Sequence, residues 1–149
     1  MNDDDLMAGV RAAFDLIDPV PETVVSAGRS AIGWRMPSAR LAGLAADQPE
    51  RVVDGVRGGP DRSLVFTLPG LSVEIEVAGT GRDREVTGRI VPSCPAAVHV
   101  RHRDLAPDGL TTRADSTGLF CLPQVPEGLV SLVLRFEDAA SVVTSWVRL

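Results

Sequence analysis

The sequence predicts a mainly β protein: a seven- or eight-stranded antiparallel β-sandwich preceded by an N-terminal helical segment of two or three helices. Three observations carry this. Apolar residues recur at helical spacing up to residue 46, and at every second position from residue 63 onward. Between the two regimes, DQPERVVDGVRGGPDR (residues 47–62) gathers the prolines and glycines that break regular structure. After it, turn residues return about every ten positions, the rhythm of a sandwich. The expected organisation is therefore a helical segment over 1–46, a linker over 47–62 and a sandwich domain over 63–149, with the sandwich able to fold alone.

The helical segment reads as follows. Over residues 3–18, Leu6, Val10, Phe14 and Ile17 fall on one face. Asp3, Asp4 and Asp5 offer an N-cap and place negative charge at the positive end of the helix dipole. Asp18-Pro19-Val20-Pro21 stops the helix, because a residue before proline is pushed out of the α region. Pro21 suits the first turn of a second helix, which runs to Trp34 with Val24, Val25, Gly28, Ala31 and Ile32 on its apolar side. Pro37-Ser38 begins a third short helical stretch through Leu41 and Leu44. Within the linker, Val52, Val53 and Val56 could form a short strand.

The period then becomes two. Leu64, Phe66 and Leu68 alternate, as do Val73, Ile75 and Val77 with Glu74 and Glu76 on the other face. Val86, Gly88 and Ile90 follow, then Val98 and Val100. Pro69-Gly70 and Gly79-Thr80-Gly81 are turns. Thr111–Ala114 and Leu119–Leu122 make a pair around Asp115–Gly118, where Asp can bond the backbone two residues on and Gly can take positive φ. Leu129–Phe136 is the next strand, and Val142, Val143, Trp146, Val147 and Leu149 form the last.

The 149 residues fit one domain with a small attachment, and a 44% hydrophobic content supports a real core. A net charge of −5 and an absence of basic clusters exclude a nucleic-acid footprint. All fifteen basic residues are Arg, and Lys and Tyr are missing, which is the mark of a high-GC bacterial genome such as an actinobacterium. No positively charged, apolar leader opens the chain, and no stretch reaches the roughly 20 apolar residues that span a bilayer. A cytoplasmic protein with Cys94 and Cys121 as reduced thiols is expected.

ADSTGLFCLPQVPEGLVSLVL resembles the signature of carboxypeptidase-regulatory-like, or transthyretin-like, β-sandwich domains. Asp115, Gly118, Phe120, Leu122, Val125, Pro126, Gly128, Leu132 and Leu134 carry that resemblance. It implies a structural module for folding, adhesion or recognition, without catalytic residues. The whole chain also resembles small actinobacterial proteins encoded beside an extracytoplasmic-function sigma factor and a caspase-like CHAT protease. Ala13-Phe14, Pro19, Pro21, Val25, Trp34-Arg35, Arg62-Ser63-Leu64 and Trp146-Val147 carry this second likeness. It implies a regulatory protein whose partner is a sigma factor or a CHAT protease, for which it acts as inhibitor, adaptor or substrate.

The expected partner-binding residues are Leu6, Phe14, Ile32, Trp34 and Arg35. A Trp at the end of an amphipathic helix is either a core anchor or an interface hot spot, since Trp and Arg concentrate energy at interfaces. No catalytic residue, cofactor or metal is expected. His99 and His102 would point to opposite faces of a strand and cannot easily share an ion. Cys121 lies on the face away from Phe120 and Leu122, as a passive thiol. Two other readings are a hydrolase with His102 as base and a carbohydrate-type ligand-binding sandwich; two Trp and four Phe are few aromatics for the latter.

Overall fold

The computed structural model describes residues 2–49, 62–79 and 81–149. The candidate strand at Val52, Val53 and Val56 lies outside the described residues, as does Thr80. The chain forms two compact units, one ending at Pro37 and one running from Ser38 to Leu149.

The first unit holds α1 (Asp3–Ile17) and α2 (Glu22–Gly33). Asn2, rather than an aspartate, caps α1: its side-chain oxygen accepts from the Asp5 backbone N–H at 2.8 Å. Asp3, Asp4 and Asp5 fill the first turn, where their charge suits the dipole. Asp18 caps the C-terminal end, its N–H donating to the Phe14 carbonyl at 2.8 Å. The second helix ends at Trp34, as the sequence predicts.

The second unit is mainly β, with ten strands among the described residues: β1 (Arg40–Pro49), β2 (Arg62–Leu68), β3 (Leu71–Ala78), β4 (Asp83–Val91), β5 (Ala96–Arg101), β6 (Thr111–Ala114), β7 (Leu119–Pro126), β8 (Leu129–Phe136), β9 (Ser141–Thr144) and β10 (Val147–Arg148). Nine follow one path, β6-β5-β8-β9-β1-β2-β3-β4-β7, and β10 pairs with β8 beside it. The two ends of the path, β6 and β7, are consecutive in the chain, so the sheet is nearly closed. Inward positions alternate with outward ones, placing Leu64, Phe66, Val73, Ile90, Val98, Leu122 and Leu134 in one fully buried core. Fully burying an aliphatic or phenyl side chain of this size contributes about 1.5–3 kcal/mol.

The structure corrects the sequence reading at β1. The predicted third helix through Leu41 and Leu44 is a strand, and it runs on to Pro49 inside the predicted linker. Its first residues pair with β9 (Leu41 opposite Val143) and its later ones with β2 (Leu44 opposite Phe66). β1 therefore joins the two halves of the sheet. The β1–β9 pairing is parallel, so the sheet is not wholly antiparallel as expected. Small residues explain why β1 reads badly. RLAGLAADQP has no β-branched residue, its one buried side chain is Ala42, and a register shift between Leu44 and Ala46 breaks the period of two. Ser145 secures the crossover: its Oγ accepts from the Leu44 N–H at 3.2 Å, and its N–H donates to the Ala42 carbonyl at 3.0 Å. The expected last strand is also two, β9 and β10, with Trp146 between them.

The β6–β7 turn forms as its residues dictate. One oxygen of Asp115 accepts from the backbone N–H of Thr117 (2.8 Å) and Leu119 (3.1 Å) and from the Thr117 hydroxyl (2.6 Å). These bonds, the Thr117 hydroxyl first, hold the Asp115 carboxyl below its usual pKa. Gly118 has φ +80, and a Cβ there would meet the Ile90 carbonyl oxygen at 2.6 Å. Phe120 then lies directly opposite Gly88 on β4, with its ring over the glycine: a Cβ on Gly88 would come within 2.1 Å of the ring.

Candidate functional site

Every side chain of α1 is exposed, and in α2 only Val25 is half-buried. Leu6, Val10, Phe14 and Ile17 nevertheless share one stripe, with exposures of 49, 42, 66 and 84%. Leu6 and Phe14 thus lie on one face, two turns apart. Ile32 lies on the apolar side of α2 at 71% exposure. Trp34 and Arg35 follow at its end, where the Arg35 N–H donates to the Ile32 carbonyl at 3.2 Å. The segment from residue 2 to 37 carries six carboxylates against three guanidiniums, a net of −3. What the helices present is an acidic surface with an apolar stripe.

The histidines do structural work. His99 faces outward from β5 and His102, next inward after Val100, is buried, so the two point to opposite faces. His102 Nδ1 accepts from the Asp104 N–H at 3.1 Å, which leaves its Nε2 to donate to the Glu127 carbonyl at 3.0 Å. Nδ1 thereby orders the loop after β5, and Nε2 ties that loop to the β7–β8 turn. Gly128 makes room for this ring, since a Cβ there would stand 2.9 Å from Nε2. That close approach and a φ of +125 are the physical reasons for glycine in the Val125-Pro126-Glu127-Gly128 motif. His99 Nδ1 lies 2.9 Å from an Asp108 carboxylate oxygen, without the geometry of a hydrogen bond. A polar cleft of about 590 Å³ opens beside the β7–β8 turn, its Arg82, Arg103 and Arg148 matched by Asp83, Asp104 and Glu127.

Cys121 is exposed on β7, on the face opposite Phe120 and Leu122. Cys94 is half-buried; burial first, and then the charge of Asp138, push its thiol pKa up. Both are free.

One outward cluster escapes the sequence reading. The Arg101 guanidinium stacks over the Trp146 ring at 4.8 Å and donates to the Ser131 hydroxyl at 2.8 Å. Burial lowers the Arg101 pKa. The Ser131 hydroxyl in turn donates to the Thr144 carbonyl at 2.9 Å. The alternation of β5 marks Arg101 as outward, but nothing local brings it to Trp146.

The chain matches no family model, no curated protein and no solved structure. No helix among the described residues is long and apolar enough to cross a membrane.

Proposed function

We propose that the protein is a non-enzymatic cytoplasmic regulatory or adaptor protein: a β-sandwich of the carboxypeptidase-regulatory-like kind that carries amphipathic helices for docking a protein partner. The observation that carries this reading is the uncovered stripe of Leu6, Val10, Phe14 and Ile17 on α1. Short helices are marginal in water unless their apolar face is buried, and amphipathic helices dock by laying that face into a groove. The net charge of −3 on this segment selects a groove with a basic rim. An extracytoplasmic-function sigma factor or a CHAT protease, the partners that the sequence resemblance implies, is the proposed occupant. The engagement of both His102 nitrogens with backbone groups supports a non-enzymatic reading over a His102-dependent hydrolase.

The test is isothermal titration against a purified extracytoplasmic-function sigma factor and a purified CHAT protease. Replacing Leu6 and Phe14 together by Asp should weaken binding at least about tenfold, since a buried interface anchor is worth about 1–2 kcal/mol or more. Raising the salt should weaken it further. Unchanged affinity in the double variant would overturn the docking role.

A further inference from the structure

A cavity of about 430 Å³ opens at one end of the nearly closed sheet, where the β2–β3 turn, the residues before β5 and the β8–β9 turn meet. Its lining residues, among those described, all belong to the unit 38–149. Leu68, Leu71, Cys94 and Phe136 line it and pack against the core behind it. Burial raises the Cys94 thiol pKa, so the half-buried thiol adds apolar lining and alkylates slowly, at a rate that reports access to the cavity. Mouths of β-barrels with apolar walls and a few polar groups are common ligand sites, and this volume is in their range. An apolar void of about 150 Å³ already holds benzene, so a longer aliphatic or aromatic body fits here.

Three charged side chains stand at the rim: Arg40, Glu137 and Asp138. Both carboxylates have donors of their own. Glu137 lies 3.4 Å from the Arg113 guanidinium, and Asp138 accepts from the Ala140 N–H at 3.0 Å. Arg40 donates through Nη2 to the Pro69 carbonyl at 3.0 Å, and among the described residues it makes no ion pair. That bond orients the guanidinium and leaves its charge and remaining donors for a carboxylate. The Asp138 charge bears on Cys94 and repels an anion from that end of the cavity.

We propose that this cavity binds a small amphiphilic carboxylate, its apolar body against Leu68, Leu71, Cys94 and Phe136 and its carboxylate on Arg40. The two cysteines provide the assay. Cys94 lines the cavity and Cys121, which does not, is the internal reference. Full-length protein is treated with N-ethylmaleimide with and without decanoate, decanol or decylamine, and each cysteine is followed by peptide mass spectrometry. Decanoate should slow alkylation of Cys94 about tenfold once it exceeds its dissociation constant about tenfold, with Cys121 unchanged. Decanol and decylamine should protect less, and Arg40→Gln should erase the difference between decanoate and decanol. A urea midpoint for Arg40→Gln equal to that of the wild type shows that the fold is kept. The proposal is overturned if decanoate leaves Cys94 unprotected, or if decanol or decylamine protects as well as decanoate.

Discussion

Phe120 and Gly88 should behave as one packing unit. Phe120 is 5% exposed, and its ring occupies the space where a side chain on Gly88 would begin. Removing the ring in Phe120→Ala should cost about 3–5 kcal/mol, the transfer of a phenyl group plus the cavity left behind. Gly88→Ala in the intact protein forces a methyl to within 2.1 Å of the ring, so either the ring or the β4–β7 pairing must shift. Overpacking of this kind costs about 1–3 kcal/mol. Once the ring is gone the same methyl enters a void. It then adds about 0.8 kcal/mol of burial and removes the extra chain entropy of a glycine in a strand. Gly88→Ala should therefore change sign, from destabilising by about 2 kcal/mol to stabilising by a few tenths or more in the Phe120→Ala background. Urea melts of the four proteins complete the cycle. The coupling should be at least about 2 kcal/mol, far outside the about 0.5 kcal/mol within which independent sites add. Additive effects would refute the stacking of Phe120 on Gly88 and weaken the assignment of β7 to the core.

Three other outcomes follow from the structure. Gly118→Val should destabilise by at least about 2 kcal/mol in a thermal melt, because it joins a φ of +80 to a Cβ clash with the Ile90 carbonyl. Asp47 accepts both Nε (2.7 Å) and Nη2 (2.6 Å) of Arg62, whose Nη1 also bonds the Arg148 carbonyl. That hydrogen bonding holds the Asp47 carboxyl below the usual aspartate range. A pKa lowered on folding contributes stability that is complete above the unfolded value and lost as pH falls through the folded one. Asp47→Asn should therefore lose less stability than wild type between about pH 7 and about pH 3, with urea midpoints as the readout. The pair is partly exposed, so the difference should be about 1 kcal/mol or less. Finally, chelator and reductant should leave the melting temperature unchanged, and stoichiometric zinc in native protein by elemental analysis would contradict this.

What was legible in the sequence was what is decided locally. The β6–β7 turn could be read because Asp115 and Gly118 satisfy its bonds and dihedrals within five residues. β3 and β4 could be read because each buries every second residue. β1 could not, because its strand conformation is imposed by partners far away in sequence, β9 on one side and β2 on the other. Leu41 and Leu44, three apart, imitate a helix, while Ala42 and Gly43 carry no strand signal. The helical stripe was legible from its spacing. The stack of Arg101 on Trp146 was not, since it depends on β5 and β10 flanking β8.

The role of the two units can be separated by truncation. Because β1 joins β9 to β2, residues 60–149 should fail to fold, whereas residues 38–149 contain every described strand and should unfold in urea at the midpoint of the full chain. The decisive measurement is the affinity of the 38–149 chain, beside the full-length protein, for the proposed partner, a sigma factor or a CHAT protease. The account predicts that 38–149 folds and loses that binding, since Leu6, Phe14, Ile32, Trp34 and Arg35 are gone. A folded 38–149 chain that binds as tightly as the full protein would contradict it and place the interface on the sheet.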